Sequence, residues 1–147
     1  MQHRIGTSVV QIDPVSCTVI PTSNITFKTT STEGPSESTK LATYIKDAPA
    51  GTVIAAFTSS SGESLENAAD TLMSDLGVDI SIFMQSTSGT ASFGYNGSYA
   101  FIAQKGYVDK AVLVKSPNID VSHKRPAYLT AALFTGIYSI QTYSCSI

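Results

Sequence analysis

A chain of 147 residues, 42% of them hydrophobic, suits one domain with a core of its own. Nine basic against eleven acidic residues leave a formal charge of -2 and no basic stripe to neutralise phosphates, which argues against nucleic acid as a partner. Only 14% of the residues are charged, and Ser and Thr supply the polar surface in runs such as TTSTEGPSEST and FTSSSGES, a composition associated with extracellular or virion-type assemblies.

From the N-terminus, TSVVQI, CTVI and ITFKT are rich in β-branched residues and bounded by turn formers, and are predicted strands. In SESTKLATYIKDAP the apolar residues Leu41, Tyr44, Ile45 and Ala48 make one helical face, with Ser36 placed to cap the start and Pro49 and Gly51 to end the helix. TVIAAFT follows as a strand. SLENAADTLMSDLG then puts Leu65, Ala68, Ala69, Leu72, Met73 and Leu76 on one side of a second helix, with Gly77 at the C-terminal cap position. Further strands are predicted in VDISIFM, SYAFIAQ and KAVLVK, and in the closing pair PAYLTAALF and IYSIQTYS, separated by the turn Thr135-Gly136. TVIAAFT and SYAFIA are continuously apolar, so both are expected as neighbouring central strands, with Tyr99, Phe101 and Ala103 alternating against Ile102. This order predicts an α/β (α+β) sandwich of mostly antiparallel twisted sheets with two or three short helices packed on them.

The chain carries no GxSxG, Walker-type or GxGxxG sequence, and no Cys/His cluster of metal-ligand spacing. Its two histidines are His3, at the terminus, and His123, beside Lys124 and Arg125 in a connector, where a solvated loop residue is the expectation. Glu63, Glu66, Asp70 and Asp75 read as the polar side of the second helix, and Asp13 as the cap of the turn at Pro14. A non-enzymatic protein without metal or cofactor is therefore expected. No window reaches the roughly 20 apolar residues of a membrane helix. The N-terminus MQHRIGTSVV lacks the apolar core of a signal peptide, so export would rest on a removed leader or on cell lysis. Asn24-Ile-Thr and Asn96-Gly-Ser match the glycosylation acceptor pattern. Cys17 and Cys145 are a candidate disulfide pair that would close a very long loop; the sequence leaves open whether their α-carbons approach closely enough.

Five stretches taken together carry a resemblance: RIGTSVVQIDPVSCTVI, FKTTST, TKLATYIKDAPAGTVIAAF, LMSDLG and GSYAFIAQKG. In order and spacing, from residue 4 to about residue 115, they resemble the interleukin-like EMT inducer (ILEI)/PANDER-like domain, also called the GG domain. That family typically shows an Arg-Gly start, a strand ending in Asp-Pro, a Phe-Asp-Thr strand, a helix ending Pro-x-Gly-Thr, a core strand, a helix ending in Leu-Gly, and Trp-Ala-Phe-Ile-Gly-Gln-Lys-Gly. The resemblance implies a non-enzymatic interaction domain, of the kind found in secreted signalling factors, in a glycosyltransferase stem that recognises sugar, and in phage tail proteins.

Within that frame Lys105 reads as the solvated end of a buried strand and Gly106 as a turn, while Asn96, Tyr99, Gln104 and Lys105 are the candidate binding residues. Where the family has Arg-Asp before its Ser-Trp, this chain has the hairpin-turn signal Asn96-Gly97 before Ser98-Tyr99, and so lacks a charged pair that could hold a polar ligand. Cys17 stands where the family has a turn glycine, on a hairpin expected to be exposed. The chain divides into residues 1–125, an ILEI/PANDER-like domain lacking its usual leading strand pair, and residues 126–147, a strand pair expected to complete the sheet in cis or in trans. Tyr128, Leu133, Phe134, Tyr138 and Tyr143 of that pair are candidate assembly residues. The resulting expectation is a phage virion component, of tail or surface, engaged in assembly or host attachment, located on the virion or an extracellular surface. Its partners would be other protein subunits in a homo- or hetero-oligomer, with a glycan as a further candidate. The alternative is a carbohydrate-binding or secreted signalling module.

Overall fold

The computed structural model describes residues 6–29, 33–60, 65–80, 85–87, 90–92, 98–116, 133–134 and 140–141. The elements run β1 (Gly6–Ile12), β2 (Ile25–Phe27), α1 (Gly34–Asp47), β3 (Val53–Ser60), α2 (Ala69–Leu76), β4 (Gln85–Thr87), β5 (Thr90–Ser92), β6 (Ser98–Gln104), β7 (Val112–Ser116), β8 (Leu133–Phe134) and β9 (Ile140–Gln141). β2, β1, β3, β6 and β7 form, in that order, one sheet in which every neighbouring pair is antiparallel. With its two helices this is the expected α+β sandwich.

The two continuously apolar runs are adjacent interior strands, with Ile54 opposite Ala103 and Ala56 opposite Phe101. Side chains alternate across a strand, and the two faces bury different sets. Val9, Ile54, Ala56, Tyr99, Phe101 and Ala103 join Leu41 and Ile45 of α1 and Leu72 and Leu76 of α2 in the larger cluster. Ile12, Val53, Ala55 and Ile102 form a second cluster on the opposite face.

Helix α1 starts two residues before Ser36: Pro35 occupies its first turn, where the missing N–H costs nothing, and no side chain caps the end. It ends at Ala48, whose extended ψ of 137° is the conformation imposed on a residue preceding proline. Its Tyr44 packs edge-on against Phe27, ring centroids 5.7 Å apart, and donates to the Ser23 carbonyl at 2.8 Å, fixing the helix over β2. A single 3-10 turn, Glu66–Ala68, leads into α2, and Asn67 donates to the Pro35 carbonyl at 2.8 Å, joining the two helix starts. Leu65, Ala68, Leu72 and Leu76 are fully buried as their spacing requires, whereas Met73, at the margin of that face, is 53% exposed.

One strand expectation is corrected. CTVI contributes only one bridge, Val19 with Ile12. Of VDISIFM, Val78 and Ile80 are buried in the helix-side cluster and lie in no strand, and residues 81–84 lie outside the described residues. Strands β4 and β5 pair with each other, Thr87 opposite Thr90; their Ser/Thr composition gives no apolar alternation, and the Ser88-Gly89 dipeptide between them was the available sequence signal. β8 and β9 pair with each other, and among the described residues neither belongs to the five-stranded sheet, whose edges are β2 and β7. No helix among the described residues is long and apolar enough to cross a membrane.

Candidate functional site

The sequence singles out the polar end of β6, and the alternation of that strand explains what the end does. Tyr99, Phe101 and Ala103 all face the helices. Lys105 continues the same row past the end of the strand, and its backbone extends the ladder: its N–H donates to the Thr52 carbonyl at 2.9 Å and its carbonyl accepts from the Gly51 N–H at 2.9 Å. A side chain in that row is directed at the C-terminus of α1. There the Lys105 ammonium donates to three carbonyls, Ile45 at 3.0 Å, Lys46 at 2.5 Å and Ala48 at 2.7 Å. The Ile45 carbonyl also accepts from the Ala48 N–H at 3.3 Å; carbonyls at a helix end lack a full set of intrahelical donors, and the negative end of the helix dipole favours a cation beside them. Lys105 is half-buried rather than solvated.

The neighbours of Lys105 complete the junction. Gln104 is buried, and its amide donates to the Gly51 carbonyl at 3.0 Å, closing the turn between α1 and β3. The Gly106 N–H donates to the Asp75 carbonyl in the last turn of α2 at 3.0 Å, from a backbone with φ of 90° that favours glycine. Helix α2 itself ends on Gly77, whose left-handed backbone (φ of 70°) turns the chain so that the Val78 N–H bonds the Leu72 carbonyl at 2.9 Å and the Gly77 N–H the Met73 carbonyl at 3.0 Å. A Cβ on Gly77 would fall 1.7 Å from the Val108 carbonyl oxygen, so the segment after Gly106 lies directly on the end of α2. Gln104-Lys105-Gly106 thereby joins the C-termini of both helices to one strand.

At the other end of β6 the Tyr99 hydroxyl lies 2.6 Å from Thr7 Oγ1, which is itself 2.7 Å from Thr29 Oγ1, a chain of three buried hydroxyls. Burial raises the Tyr99 phenol above the ordinary tyrosine value, only partly opposed by the bond to Thr7. Sequence reasoning missed this chain; the signal was one tyrosine in an aliphatic run at the level of a threonine on a strand two places away. The turn after β1 is as expected: Asp13 Oδ1 accepts from the N–H groups of Val15 at 2.8 Å and Ser16 at 2.9 Å, and those bonds, with that of Ser16 the larger, hold the carboxyl below its usual range. Cys17 in the same turn has φ of 55°, is partly buried against the second cluster and is disulfide-bonded.

Of the candidate binding residues, Tyr99, Gln104 and Lys105 are thus placed within the fold, each bonded to other parts of the chain. Asn96 lies outside the described residues, as do His3, His123, Tyr128, Tyr138, Tyr143 and Cys145. Leu133 and Phe134 form β8. Glu66 and Asp70 are solvent-exposed, and Asp75 is partly buried and accepts from the Ser74 hydroxyl at 2.8 Å.

A family model described as interleukin-like EMT inducer matches residues 5–107, a span that opens at β1 and closes just beyond Gln104-Lys105-Gly106. No curated protein matches the chain.

Proposed function

The chain belongs to the interleukin-like EMT inducer family, and we propose that it is a non-enzymatic interaction module that acts by binding another protein. The observation that carries this reading is the use made of the polar groups at the end of β6. The Lys105 ammonium and the Gln104 amide are bonded to backbone carbonyls of the α1–β3 connection, so the motif builds the scaffold instead of holding a substrate. Exposed apolar side chains remain for a protein partner: Val15 and Val19 beside the β1 turn, and Met73 and Val108 where the chain crosses the end of α2. Scattered apolar exposure is ordinary, but Met73 and Val108 flank a close backbone approach and so stand on a rigid base.

The setting we propose is a virion or extracellular surface, with the chain as a phage tail or surface component in assembly or host attachment. The low charge and the Ser/Thr-rich polar surface support that choice. Family membership favours a second reading, a secreted signalling or carbohydrate-binding module. Native mass spectrometry and sedimentation of the full chain separate the two: self-assembly is expected on the first, and a stable monomer counts against it. A clear hit on a glycan array would favour the second.

A further inference from the structure

The face of the sheet turned away from the helices is as dry as the face they cover. Val53 is 0% and Ile12 2% exposed, and Ala55 and Ile102 are also buried, although α1 and α2 pack on the opposite side. Two antiparallel strands with one open face would leave alternate residues in water. A second layer therefore lies on this face, and it is built from neither helix.

Cys17 tells which part of the chain supplies it. The cysteine packs against this second cluster and is disulfide-bonded, and Cys145 is the chain's only other cysteine. We propose that the outer face of the sheet is the docking surface for the chain's own residues 126–147, latched in cis by a Cys17–Cys145 disulfide. The chemistry of the segment suits such a surface. It carries Tyr128, Leu129, Leu133, Phe134, Ile137, Tyr138, Ile140 and Tyr143, more apolar surface than a free tail exposes, and it contains the β8–β9 pair, a ready-made two-stranded layer separate from the main sheet. The small residues Ala55 and Ala100 on the outer face leave room for large side chains from such a layer, as facing sheets require.

Phe57 gives the test a handle, since it shares the face of Val53 and Ala55 but is 49% exposed at its margin. Replacing it by the photo-reactive p-benzoylphenylalanine in the full chain and irradiating under non-reducing conditions is expected to yield cross-links within one chain to peptides from residues 126–147. Peptide mapping of the unirradiated protein is expected to return the Cys17 and Cys145 peptides as one linked species of monomer mass. Cross-links to residues 81–97 or to a second copy, or none at all, would overturn the assignment of the covering layer. A free Cys17 thiol, or a Cys17–Cys145 link between two copies, would overturn the latch in cis.

Discussion

The two faces of the sheet are both dry but are made differently. The helix side buries large side chains, Tyr99, Phe101, Leu41, Ile45 and Leu72, and is cross-linked by polar groups at both ends: the Thr29–Thr7–Tyr99 hydroxyls at one and the Lys105 ammonium at the other. The outer side is built from Ile12, Val53, Ala55 and Ile102, smaller on average. The continuous apolar run of a central strand thus conceals an asymmetry. Odd-numbered positions of β6 carry bulk and directional bonds that fix where the helices sit, and even-numbered positions provide a shallow surface suited to a sheet-like cover.

The largest effect should come from the helix side. Phe101→Ala is expected to lower the unfolding free energy in urea by about 3 to 5 kcal/mol, the range for emptying a fully buried aromatic site; a loss below about 1 kcal/mol would mean that the bulk on this face is not what holds the layers together. Lys105→Met keeps the apolar stem but removes the donor to three helix-end carbonyls, and about 1.5 to 3 kcal/mol should be lost, as for bonds to a charged group. If Lys105 were merely a solvated strand end, the same measurement would show almost no change. Ile102→Val, one methylene smaller on the outer face, should cost about 0.5 to 1.5 kcal/mol. A cost matching that of Phe101→Ala would erase the distinction between the faces.

Tyr99→Phe sharpens the comparison through pH. Removing the hydroxyl should cost about 0.5 to 1.5 kcal/mol at neutral pH, the net worth of a typical hydrogen bond. Because burial raises the native phenol above its ordinary value of 10.0, the native state keeps a proton that the unfolded state loses above that pH. The stabilisation is therefore complete below pH 10.0 and declines as pH rises beyond it. The melting temperature of Tyr99→Phe should fall less steeply than that of the parent chain above pH 10.0. Identical slopes would mean that Tyr99 ionises freely and is not sealed beneath the helices.

Local chemistry made much of this protein legible from its sequence. Period-two alternation in β6 and period-3.6 spacing from Leu65 to Leu76 each require only neighbours along the chain, and the structure has both. The Asp13 turn and the Gly77 cap are likewise decided within a few residues, by an Asx bond and by a left-handed backbone with φ of 70°. The helix start at Pro35, two residues before the apparent cap Ser36, was also present in local sequence, but proline's fit to a first turn competes with serine's capping and only the actual backbone settles which prevails. Tertiary structure alone decided what the polar residues do. Lys105 and the α1 carbonyls it binds are some sixty residues apart in sequence, as are Thr7 and Tyr99 by ninety-two. A charged residue at a strand end looks the same whether it faces water or a helix terminus; its role appears only once β3 brings the end of α1 against the end of β6, because hydrogen bonds depend on distances that no spacing along the chain encodes.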